Sequence, residues 1–204
     1  MSKLSFMAAG AAGVGAAGAG GFLLLKDQSI PSTTFKERYE HAWLPKTSNL
    51  WSSRLASLKK GTPVYIKLIE AAKKDGDEAN RLLQEGCSLI YEEPFENSKY
   101  QKDFELYCSK TNKDVGSKAW NGDEKNNTSW DTPLTNLKSH DPSTGGTLPN
   151  KLLEIQKEIK SKGATPHDEA IREKLKNWCE EIQSHVYEGS ESSEFKQQEL
   201  YCRK

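Results

Sequence analysis

Apolar residues recur at helical spacing over most of this chain. Ile171, Leu175, Trp178, Ile182 and Val186 step by four and three, which predicts one helix from about 166 to 188 with a single apolar face. Leu152, Ile155 and Ile159 mark another helix before it. Earlier helices are expected over about 48–60, 63–74 and 77–92, with short ones near 98–108 and 193–201. Thr62-Pro63 and Thr165-Pro166 read as an N-cap followed by a first-turn proline, and Gly61, Gly163 and Gly189 fall where helices would stop. No segment alternates as a strand would. Residues 111–128 and 139–147, rich in Thr, Asn, Asp and Gly, read as linker or loop. The predicted fold class is all-α. An apolar stripe of this kind is core first, and a partner-binding or lipid-binding face second.

The pattern also repeats. Glu199-Leu200-Tyr201-Cys202-Arg203-Lys204 matches Glu105-Leu106-Tyr107-Cys108-Ser109-Lys110 at five of six positions. Trp51, Leu55, Leu58 and Lys59 share the spacing W-x3-L-x2-L-K with Trp130, Leu134, Leu137 and Lys138. Trp43 and Trp120 lie upstream of these, and Asp-Glu-Ala recurs at 77–79 and 168–170. The chain therefore divides into two diverged units, 43–110 and 120–204, joined by a linker at 111–119. Two copies are fewer than a solenoid needs, so two small domains or two lobes of one are expected. At this size one apolar core is only marginally stabilising.

From Leu4 to Leu25 no residue is charged. As a helix this stretch is about 33 Å long, enough to cross a bilayer. Its small residues come first and Phe22-Leu23-Leu24-Leu25 last, the reverse of a cleaved secretory signal. An uncleaved signal anchor over 1–26 is expected, followed by a juxtamembrane linker at 27–42. Cleavage within or after the run is the second possibility. A buried helix of a soluble protein is the third, and the many glycines argue against it, each costing about 1 kcal/mol in water. Within a membrane the same small residues permit close helix–helix approach. Lys3 and the amino terminus precede the segment, while the charges after it balance, which places the N-terminus inside and the bulk of the chain outside.

Cys87, Cys108, Cys179 and Cys202 fall two per unit, without the close pairs of a zinc site or a redox C-x-x-C. Outside the cell, the repeat symmetry favours bridges Cys87–Cys108 and Cys179–Cys202 among the three possible pairings. Inside it, four reduced buried thiols are the expectation.

Composition narrows function mainly by exclusion. Twenty-nine basic residues balance 29 acidic ones, so nothing favours nucleic acid. The mean hydropathy of −0.78 makes the chain beyond the N-terminal segment strongly polar. Gly13-Val14-Gly15-Ala16-Ala17-Gly18 matches G-x-G-x-x-G, but without a βαβ context it reads as glycine–alanine repetition. His41, His140, His167 and His185 share no metal-binding spacing, and Glu92-Glu93 and Glu180-Glu181 read as solvated faces. Asn126-Asn127-Thr128-Ser129 holds two formal glycosylation sequons, read here as an ordinary polar loop. No catalytic, cofactor-binding or metal residues are assigned.

The opening Met1-Ser2-Lys3-Leu4, the Ala/Gly-rich run into Phe22-Leu23-Leu24-Leu25-Lys26, the paired Trp and Cys signatures and the Glu-Leu-Tyr-Cys ending resemble one known group. It is that of the paralogous, uncharacterised membrane-anchored proteins of haemotropic mycoplasmas. The resemblance implies a small anchored protein of a wall-less, blood-cell-associated bacterium, displayed to the host. It lends no catalytic or ligand residues. The expected function is a non-enzymatic surface protein that contacts host proteins or serves as a variable antigen. A self-associating envelope scaffold is second and an anchored enzyme third.

Overall fold

The computed structural model describes residues 32–162 and 167–204, and the regular structure there is helical, with isolated bridges but no strands. The expected anchor over 1–26, the glycine motif within it, Gly163 and the Thr165-Pro166 cap lie outside the described residues. No helix among the described residues is long and apolar enough to cross a membrane. Residues 32–204 form one compact unit.

Within it the same helices occur twice in order. α1 (Phe35–Arg38) precedes α2 (Trp51–Lys60), α3 (Ile66–Ala72), α4 (Gly76–Tyr91) and α5 (Gln101–Asp103), which runs into one π-helical turn at Phe104–Cys108. α6 (Asp131–Lys138), a short α7 (Pro142–Gly145), α8 (Asn150–Lys162), α9 (Glu169–Ile182) and α10 (Ser193–Tyr201) follow. α2 corresponds to α6, α3 to α8, α4 to α9, and α5 with its π turn to α10. Each set closes around its own core. Phe35, Leu58, Leu68, Leu83, Ile90 and Phe104 fill the first, and Trp130, Leu134, Leu152, Ile159, Leu175 and Tyr201 the second. Every such side chain contributes about 1.5–3 kcal/mol by leaving water, so two small cores can hold.

The disulfides lock equivalent places. Cys87 on α4 is joined to Cys108, and Cys179 on α9 to Cys202, with Cα atoms 5.2 and 5.5 Å apart. All four cysteines are fully buried. Loops of 21 and 23 residues are closed, each contributing on the order of 3 kcal/mol by chain-entropy reasoning.

The repeat reaches further toward the N-terminus than sequence periodicity suggests. Thr34 bridges to Pro94 and Thr111 bridges to Val186. In the first case Phe35 N–H donates to the Glu93 carbonyl and Phe95 N–H to Thr33. In the second, Asn112 N–H donates to His185 and Tyr187 N–H to Lys110. A carboxylate three residues on, Glu37 or Asp114, accepts the threonine's own N–H at 2.8 Å in both. Ala42 and Ala119 then accept from Lys110 and Lys204. The stretches 27–42 and 111–119, read from sequence as linkers, thus carry structural pieces of each repeat: Phe35, Tyr39 and Ala42 are core, and Asn112 is buried.

Two helix boundaries also differ from expectation. α9 ends at Ile182 although its apolar stripe continues to Val186. Residues 183–187 leave the helix because their backbone pairs with 110–113, and Val186 packs against the first core. α3 starts at Ile66, three residues after Pro63, because Asp103 reaches from α5 to accept the N–H groups of Val64 and Tyr65 at 2.9 and 2.7 Å.

Candidate interaction surface

The residues singled out by sequence separate into buried and exposed sets. The four cysteines are brought together in pairs inside the cores, where they stabilise and present nothing to solvent. The histidines stay apart. His140 lies between the Tyr201 hydroxyl and the Gly146 carbonyl, and His167 is buried beside Thr135. His41 packs near Tyr187. Among the described residues no group of three His, Cys, Asp or Glu could hold a metal. Asn126 and Asn127 are both exposed, and the Asn127 carbonyl oxygen accepts from Ser129 N–H at 2.9 Å. Glu92, Glu180 and Glu181 make surface ion pairs with Lys36, Lys176 and Lys151.

What sequence reasoning missed is a chain of three shallow depressions. The first, about 310 Å3, lies between α8 and α9 and is floored by Ile155 and Trp178. It shares Lys151, Trp178 and Glu181 with a second of about 430 Å3, which continues over Ile182 to α10. That one shares His185 and Glu194 with a third of about 470 Å3, reaching Tyr39, Leu106 and Val186 at the junction of the repeats. The three adjoin through these shared residues and make a row, here termed the furrow, from the second repeat to the first. Trp178 reads as core from its spacing and is indeed only 4% exposed, yet its remaining edge faces this furrow. Leu106 is 45% exposed at the other end. Periodicity alone could not reveal this, because the furrow depends on how α8, α9 and α10 pack.

Glutamates dominate its walls. Glu105, Glu154, Glu158, Glu181, Glu188 and Glu194 line it with Lys151 and Lys174, and Arg38 and Lys162 at its margin pair with Glu188 and Glu158. Lys151 beside Glu181 holds that carboxyl below its ordinary range, and Lys174 with Lys162 does the same for Glu158. These groups remain ionised at neutral pH. His185 Nδ1 lies 2.9 Å from Glu194, whose other oxygen accepts from Asn112 Nδ2 at 2.6 Å. That hydrogen bond, aided by the nearby charges of Glu181 and Glu105 against partial burial, raises the His185 pKa above 6.5.

The matching groove of the first repeat, between α3 and α4, has the opposite sign. Lys46, Lys67 and Arg81 face a single Glu85, and Leu89 stands where Glu181 stands in the second repeat. The duplication kept the helix pairs and diverged at the rim.

Comparison of the chain with protein-family models, with curated proteins and with solved structures finds no match.

Proposed function

We propose that this chain is a membrane-anchored protein displayed at the cell surface, where its helical part makes protein contacts or acts as a variable antigen. The observation that carries the reading is the pair of disulfides, one within each repeat. Structural disulfides form and persist in oxidising compartments, and small domains there use them to offset a limited core. The uncharged run from Leu4 to Leu25 supports anchoring, with the charge pattern around it favouring an outward-facing bulk. The resemblance to the anchored paralogous proteins of haemotropic mycoplasmas supports the same reading.

Anchoring is tested by alkaline carbonate extraction of membranes from cells making the full chain or a variant lacking residues 4–25. The full chain is expected in the pellet and the deletion in the supernatant. Equal extraction of both would reject the anchor.

The glycine-rich stretch Gly10–Gly21 favours a second reading, a scaffold that self-associates through its anchor. Gly-to-Leu changes in residues 13–21 would then abolish oligomers in detergent, whereas a display protein would not depend on them.

A further inference from the structure

We infer that the furrow running from α8–α9 to the repeat junction binds an extended cationic polypeptide segment of another protein, one that alternates Lys or Arg with apolar residues. Three observations converge on that occupant. The three depressions adjoin in a row, since each shares residues with the next, an arrangement that suits a strand-like chain better than a small molecule. Its floor is apolar at both ends, with Ile155 and Trp178 at one and Leu106 and Val186 at the other. Its walls carry six glutamates against two lysines, with Arg38 and Lys162 at the margin, in a chain whose charges balance at 29 each overall.

Such complementarity steers encounter and selects against acidic partners more than it sets raw affinity. Several of the carboxylates already hold exposed lysines, but surface pairs of this kind exchange partners at little cost. Glu154 is exposed and makes no ion pair among the described residues. The first repeat provides an internal contrast. Its equivalent groove has Lys46, Lys67 and Arg81 at the rim and would repel the same segment. The selectivity therefore belongs to the second repeat and the junction.

This inference names the partner class for the protein-contact reading above and rests on it. The two fail separately, because binding is measured on the purified chain and topology on cells. The full-length chain, held in neutral-lipid nanodiscs, is titrated into a fluorescein-labelled nonapeptide of alternating Lys and Val, with empty nanodiscs subtracted. Micromolar binding is expected, with at least tenfold weaker binding for the same peptide carrying Glu in place of Lys. Glu154→Lys with Glu181→Lys should weaken the Lys peptide at least tenfold. Leu106→Ala, at the far end and already exposed, should weaken it about threefold without disturbing the fold. A charge-matched control on α3 and α4, Glu70→Lys with Glu78→Lys, should stay within twofold. Equal loss in the control, equal binding of the Glu peptide, or no binding below millimolar peptide would each overturn the proposal.

Discussion

Arg54 and Asp114 form an ion pair that joins α2 of the first repeat to the first turn of the second. Their side chains are only 10% and 15% exposed. Arg54 Nε also donates to the Ser109 carbonyl at 2.9 Å, and Asp114 accepts from the Thr111 N–H and hydroxyl, each at 2.8 Å. This buried ion pair thus adds to the backbone pairing and the exposed Arg38–Glu188 pair that hold the repeats together. Removing one partner of a pair this buried strands the other charge, at a cost of about 3–5 kcal/mol. Asp114→Ala should therefore lower the urea midpoint by that equivalent. The double variant Arg54→Met, Asp114→Ala should recover part of the loss, since no buried charge remains.

The disulfides should behave as two equivalent, shielded staples. Each closes a loop of nearly the same length, so Cys87→Ala with Cys108→Ala and Cys179→Ala with Cys202→Ala should each cost on the order of 3 kcal/mol. Because all four sulfurs are fully buried, dithiothreitol should leave both bridges intact in native buffer and reduce them when denaturant is added. Mass shifts after alkylation measure this directly.

Gly86 reverses an ordinary helix rule. Replacing a mid-helix glycine by alanine usually stabilises by about 1 kcal/mol. Here a Cβ would lie 2.8 Å from the Leu68 Cδ2 and 3.2 Å from the Lys67 Cβ, because α3 packs directly against α4 at this glycine. Gly86→Ala should therefore destabilise, by about 1–3 kcal/mol of overpacking. The same position in the second repeat is Trp178, whose ring helps floor the depression between α8 and α9.

Two histidines should titrate on opposite sides of 6.5. Glu194 raises His185, so its contribution is fully present below the unfolded-state pKa and is lost as pH rises through the higher folded value. Burial lowers His167, so its contribution is present above the unfolded-state pKa and is lost as pH falls through the lower folded value. The His185 share should stay below about 1 kcal/mol, because that pair is nearly half exposed to water and salt. NMR titration of the ring protons should show His185 above and His167 below 6.5, with His185 moving down in Glu194→Gln.

Burial also pushes the Tyr201 hydroxyl up to about 12, and that of Tyr91 higher still. Tyr91 Oη accepts from Leu44 N–H at 3.0 Å and donates to the Cys108 carbonyl at 2.7 Å. Tyr91→Phe leaves both backbone groups buried without it, and should cost about 1–3 kcal/mol in a denaturant melt.

Much of this architecture is legible in the sequence because it rests on local periodicity. The stripe Ile171, Leu175, Trp178, Ile182 identifies α9, and the recurring Tyr-Cys endings place the disulfides by symmetry. The repeat starts are harder to read because they rest on backbone pairing. Thr34 and Thr111 do equivalent work, but Phe35 is replaced by Asn112, so a single threonine with a carboxylate three residues on is all the sequence shares there. Asp103 and Gln197 likewise occupy equivalent places with opposite hydrogen-bonding roles. Asp103 accepts from Val64 and Tyr65, whereas Gln197 donates to Gly145 and Thr147. The furrow is the least legible feature, since its lining comes from both repeats.

In the proposed topology the disulfide-bonded repeats face outward from an anchored chain. Because the native sulfurs are buried and paired, a reporter cysteine is needed, and Ser57→Cys on the exposed face of α2 provides one. Intact cells making this variant are treated with a membrane-impermeant maleimide, then lysed and analysed for labelling of the full chain. Labelling in intact cells equal to that in permeabilised cells is the predicted result. Labelling that requires permeabilisation would place the repeats inside the cell and contradict the account.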